Sequence, residues 1–255
     1  YRAPNISELA SNGIHEGTIR YELGNLQLKP ENNLQLDFGA DYSSDLFSAQ
    51  ISLFLNRIEN YIFAHRLSDS MGQAVITDGQ PTYQFTSGDA SLQGGEFYLD
   101  FHPIQKLHWE NTFSYVNSIQ LHQPRESKYL PFTPAPRWTT VLKYNLIRDG
   151  RRLNNTYVAL NFEYHLKQNH FYAAGGTETA TADYALLGLS AGSDLMIHSR
   201  RVASLFLEAS NLTDKVYQDH LSRLKYTAVN NVTGRAGIFN MGRNFTIKLV
   251  IPLTF

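Results

Sequence analysis

Histidine and glutamate stand side by side at positions 15 and 16, inside SNGIHEGTIRYELGN. An imidazole nitrogen and a carboxylate oxygen are both zinc ligands. His15 and Glu16 are therefore the candidate metal contacts. Two neighbours supply only part of a coordination shell. The other imidazoles in segments expected to be loops are His65, His122, His170 and His220. Tyr129, Tyr172, Tyr217 and Arg223, also in expected loops, are candidate contacts for a ligand, an aromatic one included. Covalent chemistry has little support. The GLSAG run from Gly188 to Gly192 matches the Gly-x-Ser-x-Gly elbow, which needs a strand–turn–helix setting. Ser190 instead lies inside an alternating strand pattern, where the glycines serve bending or close backbone approach. There is no cysteine, hence no thiolate nucleophile and no disulfide framework. Neither a phosphate-binding glycine loop nor a His-Glu-x-x-His helix is present. The chain reads as a binding protein, not an enzyme, and no cofactor is expected.

These residues need elements to hold them, and composition narrows which. The chain has 255 residues, with 22 Lys and Arg against 23 Asp and Glu, a net charge of −1. A nucleic-acid partner would call for a basic stripe, so none is expected. Charged residues make up 18% and aromatics 13%. An ordinary soluble domain carries about 25% charged residues. No run approaches the roughly 18 apolar residues of a membrane-spanning helix.

Period-two alternation runs through most of the sequence, the mark of strands with one apolar face. Phe245, Ile247, Leu249, Ile251, Leu253 and Phe255 oppose Asn244, Thr246, Lys248 and Thr254. Val158, Leu160, Phe162 and Tyr164 oppose Asn161, Glu163 and His165. The same holds for Leu34 to Tyr42, Phe47 to Leu55, Phe97 to Phe101, Leu107 to Tyr115, Trp138 to Leu146 and Ala203 to Ala209. Around 183–194 the pattern is weaker. About nine strands result, with no convincing amphipathic helix. Many reach roughly 10 residues, the length of tilted membrane strands.

The connections alternate between short and long. SSDL, HPIQK, IRDGRR and GSDLMIHSR are the shorter ones. The segments from Ala64 to Pro81, His122 to Pro136, Lys167 to Thr181 and Thr213 to Gly242 are long. Outer-membrane barrels keep this parity, with short periplasmic turns and long extracellular loops. The charged strand face, with Asp37, Asp41, Glu96, Asp100, Glu110, Lys143, Glu163 and Lys248, suits a wet or plugged lumen. The fold expected is all-β: about 9–10 strands of a transmembrane antiparallel barrel. Nine antiparallel strands do not close on themselves, so further strands are expected before Tyr1. A soluble β-sandwich is the less favoured fold.

YRAP at residues 1–4 resembles the aromatic-Arg-Ala-Pro signature of TonB-dependent outer-membrane receptors. GN…LKPE before the first long strand, LFLEASNLTDKVY at 205–217 and the final GRNFTIKLVIPLTF resemble other segments of that family, in the same order. The resemblance implies that residues 1–255 are the C-terminal part of a barrel of about 22 strands, with the N-terminal plug and earlier strands lying outside the chain. It implies an outer-membrane receptor driven by the TonB complex through the plug. The cargo would be a scarce nutrient such as a ferric siderophore, haem or a metal like zinc. The segment around His15 is similar to receptors for zinc or haem-type cargo. Phe255, the terminal aromatic, resembles the signal read by the barrel-assembly machinery. A porin-like channel or a membrane hydrolase is the alternative.

Overall fold

The structure is a computed structural model that describes residues 1–176 and 178–252. After Tyr1–Pro4 comes a short helix, α1 (Ile6–Ala10), then a hairpin of β1 (Asn12–His15) and β2 (Arg20–Leu23). The remaining strands are β3 (Asn32–Ser43), β4 (Phe47–Arg66), β5 (Ile76–Thr77), β6 (Gln80–Ile104), β7 (Leu107–Gln120), β8 (Arg137–Ile147), β9 (Leu153–His165), β10 (Tyr184–Ile197), β11 (Arg200–Ser210) and β12 (Asn244–Val250). In the series β3, β4, β6, β7, β8, β9, β10, β11, β12, each strand up to β11 pairs antiparallel with the one after it. Together they make an open barrel wall with β3 and β12 at its edges. The expected fold is the observed one.

Alternation fixes the two faces of this wall. Leu34, Leu36, Phe38, Leu53, Phe97, Trp109, Leu142, Leu160, Leu207 and Ile247 are exposed. In a water-soluble sandwich such residues would fill the core. Leu34 and Ile247 each keep 76% of their surface free. Side chains one position along, such as Asp37, Asp100, Glu110 and Lys143, share the opposite, polar face. The wall thus has an apolar outer side and a polar inner side, the arrangement of a barrel in lipid around an aqueous lumen. Gly192 in β10 admits the Tyr157 ring: a Cβ there would sit 2.5 Å from Tyr157 Cε1.

Three details differ from the sequence reading. β4 and β6 extend well past the expected ends, to 20 and 25 residues. The polar stretch Gln80–Gly95 alternates poorly because its upper part has no lipid to face. The segment GSDLMIHSR is mostly strand, and its turn is only His198–Ser199, both at positive φ. Helix α1 forms where a loop was expected. Asn5 caps it, its side chain accepting from Glu8 N while the Glu8 carboxylate accepts from Asn5 N. That capping box supplies the orphan donors of a single turn.

The buried residues lie mostly at the long-loop end, not between the strands. Tyr83, Leu130, Tyr172, Thr133, Gln168, Glu178, Thr181 and His220 are all buried. The core of this molecule is its loop canopy.

Candidate functional site

Two kinds of polar cluster shape the long-loop end. The first anchors the chain. Arg2 grips the Glu31 carboxylate with two hydrogen bonds of 2.7 Å, Nε to Oε2 and Nη2 to Oε1. Its Nη1 also donates to both oxygens of Glu8, at 2.9 and 3.0 Å. Glu31 Oε1 accepts a further bond from Ile62 N at 2.8 Å. The Arg2 guanidinium holds the Glu31 carboxyl below its usual range. One arginine thereby ties the chain start, α1 and β4 to the head of β3. At the far end, Asn211 is buried and binds Lys215 through N–H and C=O, 2.8 and 2.9 Å. Asp214 Oδ1 accepts from Arg243 N at 2.9 Å. A Cβ on Gly242 would come within 2.6 Å of that oxygen, so a side chain there would push the Asp214 carboxylate aside. The NLTDK run is thus a clasp that closes the 211–243 loop at its base.

The second cluster joins the loops to each other. The carboxylate of Glu178 accepts from Phe132 N and, at 3.2 Å, from Tyr172 N. His220 Nδ1 lies 2.8 Å from Thr181 Oγ1, which accepts from Lys225 Nζ at 2.6 Å. Thr181 Oγ1 thus links His220 to Lys225, and His220 Nε2 lies 4.0 Å from Glu178 Oε2. Burial pushes the Glu178 carboxyl up and pulls His220 down to about 4. Tyr172 Oη lies 3.0 Å from His65 Nδ1, and Tyr83 Oη donates to the Gly175 carbonyl at 3.0 Å. The loop at 166–183 is the hub that the neighbouring loops pack against.

The candidate ligand residues separate on this frame. Tyr172 is 2% exposed and serves packing. Tyr217 packs at 4.5 Å on the Tyr184 ring and lines an inner-face cavity with Asn161 and Glu163. Exposed Arg223 sits 4.6 Å over the Phe132 ring. Tyr129 stacks on His170, centroids 4.6 Å apart and planes 9° apart. That pair borders an open cavity of about 810 Å³ together with Arg125, Glu126, Lys128 and Phe171. The size suits a small ligand. Arg125, Lys128 and Phe171 escaped the sequence reading, because charged loop residues look alike until a cavity gathers them. His15 and Glu16 are exposed at the tip of the β1–β2 hairpin, and His15 Nδ1 lies 3.2 Å from Thr18 Oγ1. His122 is exposed at positive φ. Phe255 lies outside the described residues. Ser190 stands mid-strand in β10, accepting from Asn161 Nδ2 at 3.1 Å. The strand–turn–helix context of a hydrolase elbow is therefore not the context of GLSAG.

The family described as TonB dependent receptor-like, beta-barrel, matches residues 1–212. The chain belongs to this family. Among solved structures, the copper transporter OprC is 20% identical over 97% of this chain, with a TM-score of 0.72. The FrpB iron transporter from Neisseria meningitidis is 14% identical over 90%, with a TM-score of 0.63. A mutant ferric enterobactin receptor, PfeA from Pseudomonas aeruginosa, is 22% identical over 98%, with a TM-score of 0.61. At these identities the likeness shows the fold. The chain covers 35%, 32% and 36% of those three structures, about a third of each. In this TonB-dependent receptor barrel, the segments YRAP, LKPE and NLTDK supply the anchoring clusters.

Proposed function

We propose that this chain is the C-terminal part of a barrel of about 22 strands that imports a scarce nutrient across a Gram-negative outer membrane. A plug domain and the TonB complex would drive release, and the barrel-assembly machinery would insert the wall, with Phe255 as its recognition residue. The cargo best supported is an anionic, aromatic metal chelate such as a ferric siderophore. The carrying observation is the Tyr129–His170 stack beside Arg125 and Lys128 at one open cavity. The rings of Tyr129, His170 and Phe171 give the cavity aromatic surface, Lys128 Nζ lies 5.6 Å from the Tyr129 ring, and Arg125 and Lys128 outnumber Glu126 in attracting an anion. Haem fits the same chemistry. Zinc itself as cargo is the second reading, favoured by the exposed imidazole and carboxylate of His15 and Glu16. Tyr217 and Arg223 are further contacts on the cargo's path, and Tyr172 positions the loop that carries His170.

Titrating a ferric catecholate into the complete receptor in detergent tests this reading. Tyr129→Ala is expected to weaken binding about 2- to 10-fold, the worth of one aromatic contact. Unchanged affinity in Tyr129→Ala, and in Arg125→Ala with Lys128→Ala, would remove this cavity from the cargo site.

A further inference from the structure

At the opposite end of the wall, away from the loops, the structure holds an arrangement that cargo capture does not use. We propose that Asp100, His102 and His108 bind a divalent transition-metal ion of the zinc class on the inner face, beside the β6–β7 turn. One donor atom from each side chain lies within 4.8 Å of the other two, and all three residues are half-buried. Asp100 and His102 stand two apart on β6 and so share a face. His108 reaches the same place from β7, across the tight turn at Gln105–Lys106 and beyond a break in register between Phe101 and Ile104.

The distances are those of ligands around a common ion. His108 Nδ1 is 2.9 Å, and His102 Nδ1 3.3 Å, from the same oxygen, Asp100 Oδ2. Ligands bound to zinc at about 2.0–2.1 Å in a tetrahedron are themselves about 3.3 Å apart. Two imidazoles and one carboxylate leave a fourth position for water.

With neutral imidazoles, hydrogen bonding satisfies only part of the cluster: His108 Nδ1 can donate to Asp100 Oδ2 at 2.9 Å. His102 Nε2 lies 3.2 Å from the Ser44 carbonyl oxygen, which can only accept. It therefore carries the ring proton. His102 Nδ1 then turns a lone pair toward Asp100 Oδ2 and the Asp100 carbonyl oxygen, 3.2 Å away, both acceptors. His102 Nδ1, Asp100 Oδ2 and the Asp100 carbonyl oxygen are then three acceptors with a single proton near them, that of His108 Nδ1. Asp100 Oδ1 is buried and has no partner. A cation bound by Asp100 Oδ2 and the two Nδ1 atoms removes the repulsion. The Ser44 contact is of the kind that metal-bound imidazoles make with their other nitrogen. Opposite Asp100 and His108 in the ladders stand Glu110 and Lys143, and the Lys143 ammonium is drawn over the Tyr157 ring at 4.7 Å. Glu110 adds a second carboxylate beside Asp100, while Lys106 and Arg148, which donates to Gln105, stand at the turn itself. Bound there, the ion would tie β6 to β7 and, through Ser44, to the β3–β4 turn. This site stands whatever the cargo is.

The experiment is calorimetric titration of Zn(II) into the complete, chelator-treated receptor in detergent. Asp100→Asn, His108→Gln and His15→Ala are compared with the parent, and zinc-edge X-ray absorption is recorded on the parent protein. The expected result is a site weakened at least 10- to 100-fold in Asp100→Asn and His108→Gln but kept in His15→Ala, with nitrogen and oxygen neighbours at about 2.0–2.2 Å. Loss in His15→Ala alone would move the zinc to the hairpin and overturn the proposal. So would unaltered affinity in both inner-face variants, or a parent protein that binds no zinc, which would leave a protonated His102 as the occupant. The absorption spectrum of the parent answers the question even where a variant fails to fold.

Discussion

Arg2 shows how much one side chain can organise. It sits between two carboxylates, and Glu8 and Glu31 would be left facing each other without it. Arg2→Ala is expected to loosen residues 5–31 by about 2 kcal/mol, the worth of a charge-assisted pair. Hydrogen exchange across α1 and the β1–β2 hairpin reads this directly. Glu31 has its folded pKa below the ordinary 4.5. Its contribution is therefore full above that pH and disappears as pH falls through the folded value. His220 behaves differently. Its folded value of about 4 lies below the free value of 6.5, so the folded canopy holds fewer protons than the opened one. Stability is then lost as pH falls from 6.5 toward about 4. Glu178, pushed up by burial, opposes this, since protonation suits it; Lys225 and Asp219 complete the surroundings. Comparing the parent with His220→Gln isolates the histidine. The parent is expected to lose about 2–3 kcal/mol of loop protection relative to the variant by about pH 4.5. Proteolysis of the 211–243 loop across that range measures it.

At the scale of elements, alternation decides which substitutions matter. Leu160 and Asn161 are neighbours on β9 with opposite surroundings. Leu160→Arg places a charge on the lipid side and is expected to cost about 2–4 kcal/mol near the middle of the strand, whereas Asn161→Arg on the inner face stays under about 1 kcal/mol. Urea unfolding of the complete receptor in lipid vesicles tests the contrast. Equal effects would contradict the assignment of faces. This is also where the sequence was most legible. Leu34 to Tyr42 and Phe245 to Leu249 alternate because lipid and water impose a period of two on every spanning strand. The upper part of Gln80–Gly95 carries β6 beyond the alternating stretch, so the period-two signal is absent there and the extension is not legible. The canopy was legible only in part. Asn5 and Glu8 carry a capping signature, yet nothing in the local sequence shows that Tyr172 is sealed while Tyr129 is open. That difference comes from Glu178, distant His65 and the packing of three loops. Asp100, His102 and His108 were each visible on their strands, but the turn that brings them together was needed to see a cluster.

For the whole molecule, the division of labour is between a wall set by lipid and a canopy set by its own packing. The family signature falls on the joints: Arg2 with Glu31, Asn211 with Lys215, Asp214 with Arg243. In the proposed account, cargo recognition falls on the long loops that bear Tyr129 and His170. A passive pore with the same wall would need none of this canopy to be energised. The proposed import account therefore stands or falls on uptake. Cells carrying the complete receptor would be given radiolabelled iron as a ferric catecholate, with and without a functional TonB complex. The account predicts saturable uptake that disappears without TonB and is reduced by Tyr129→Ala. Uptake that persists undiminished without TonB, or that never saturates, would contradict it.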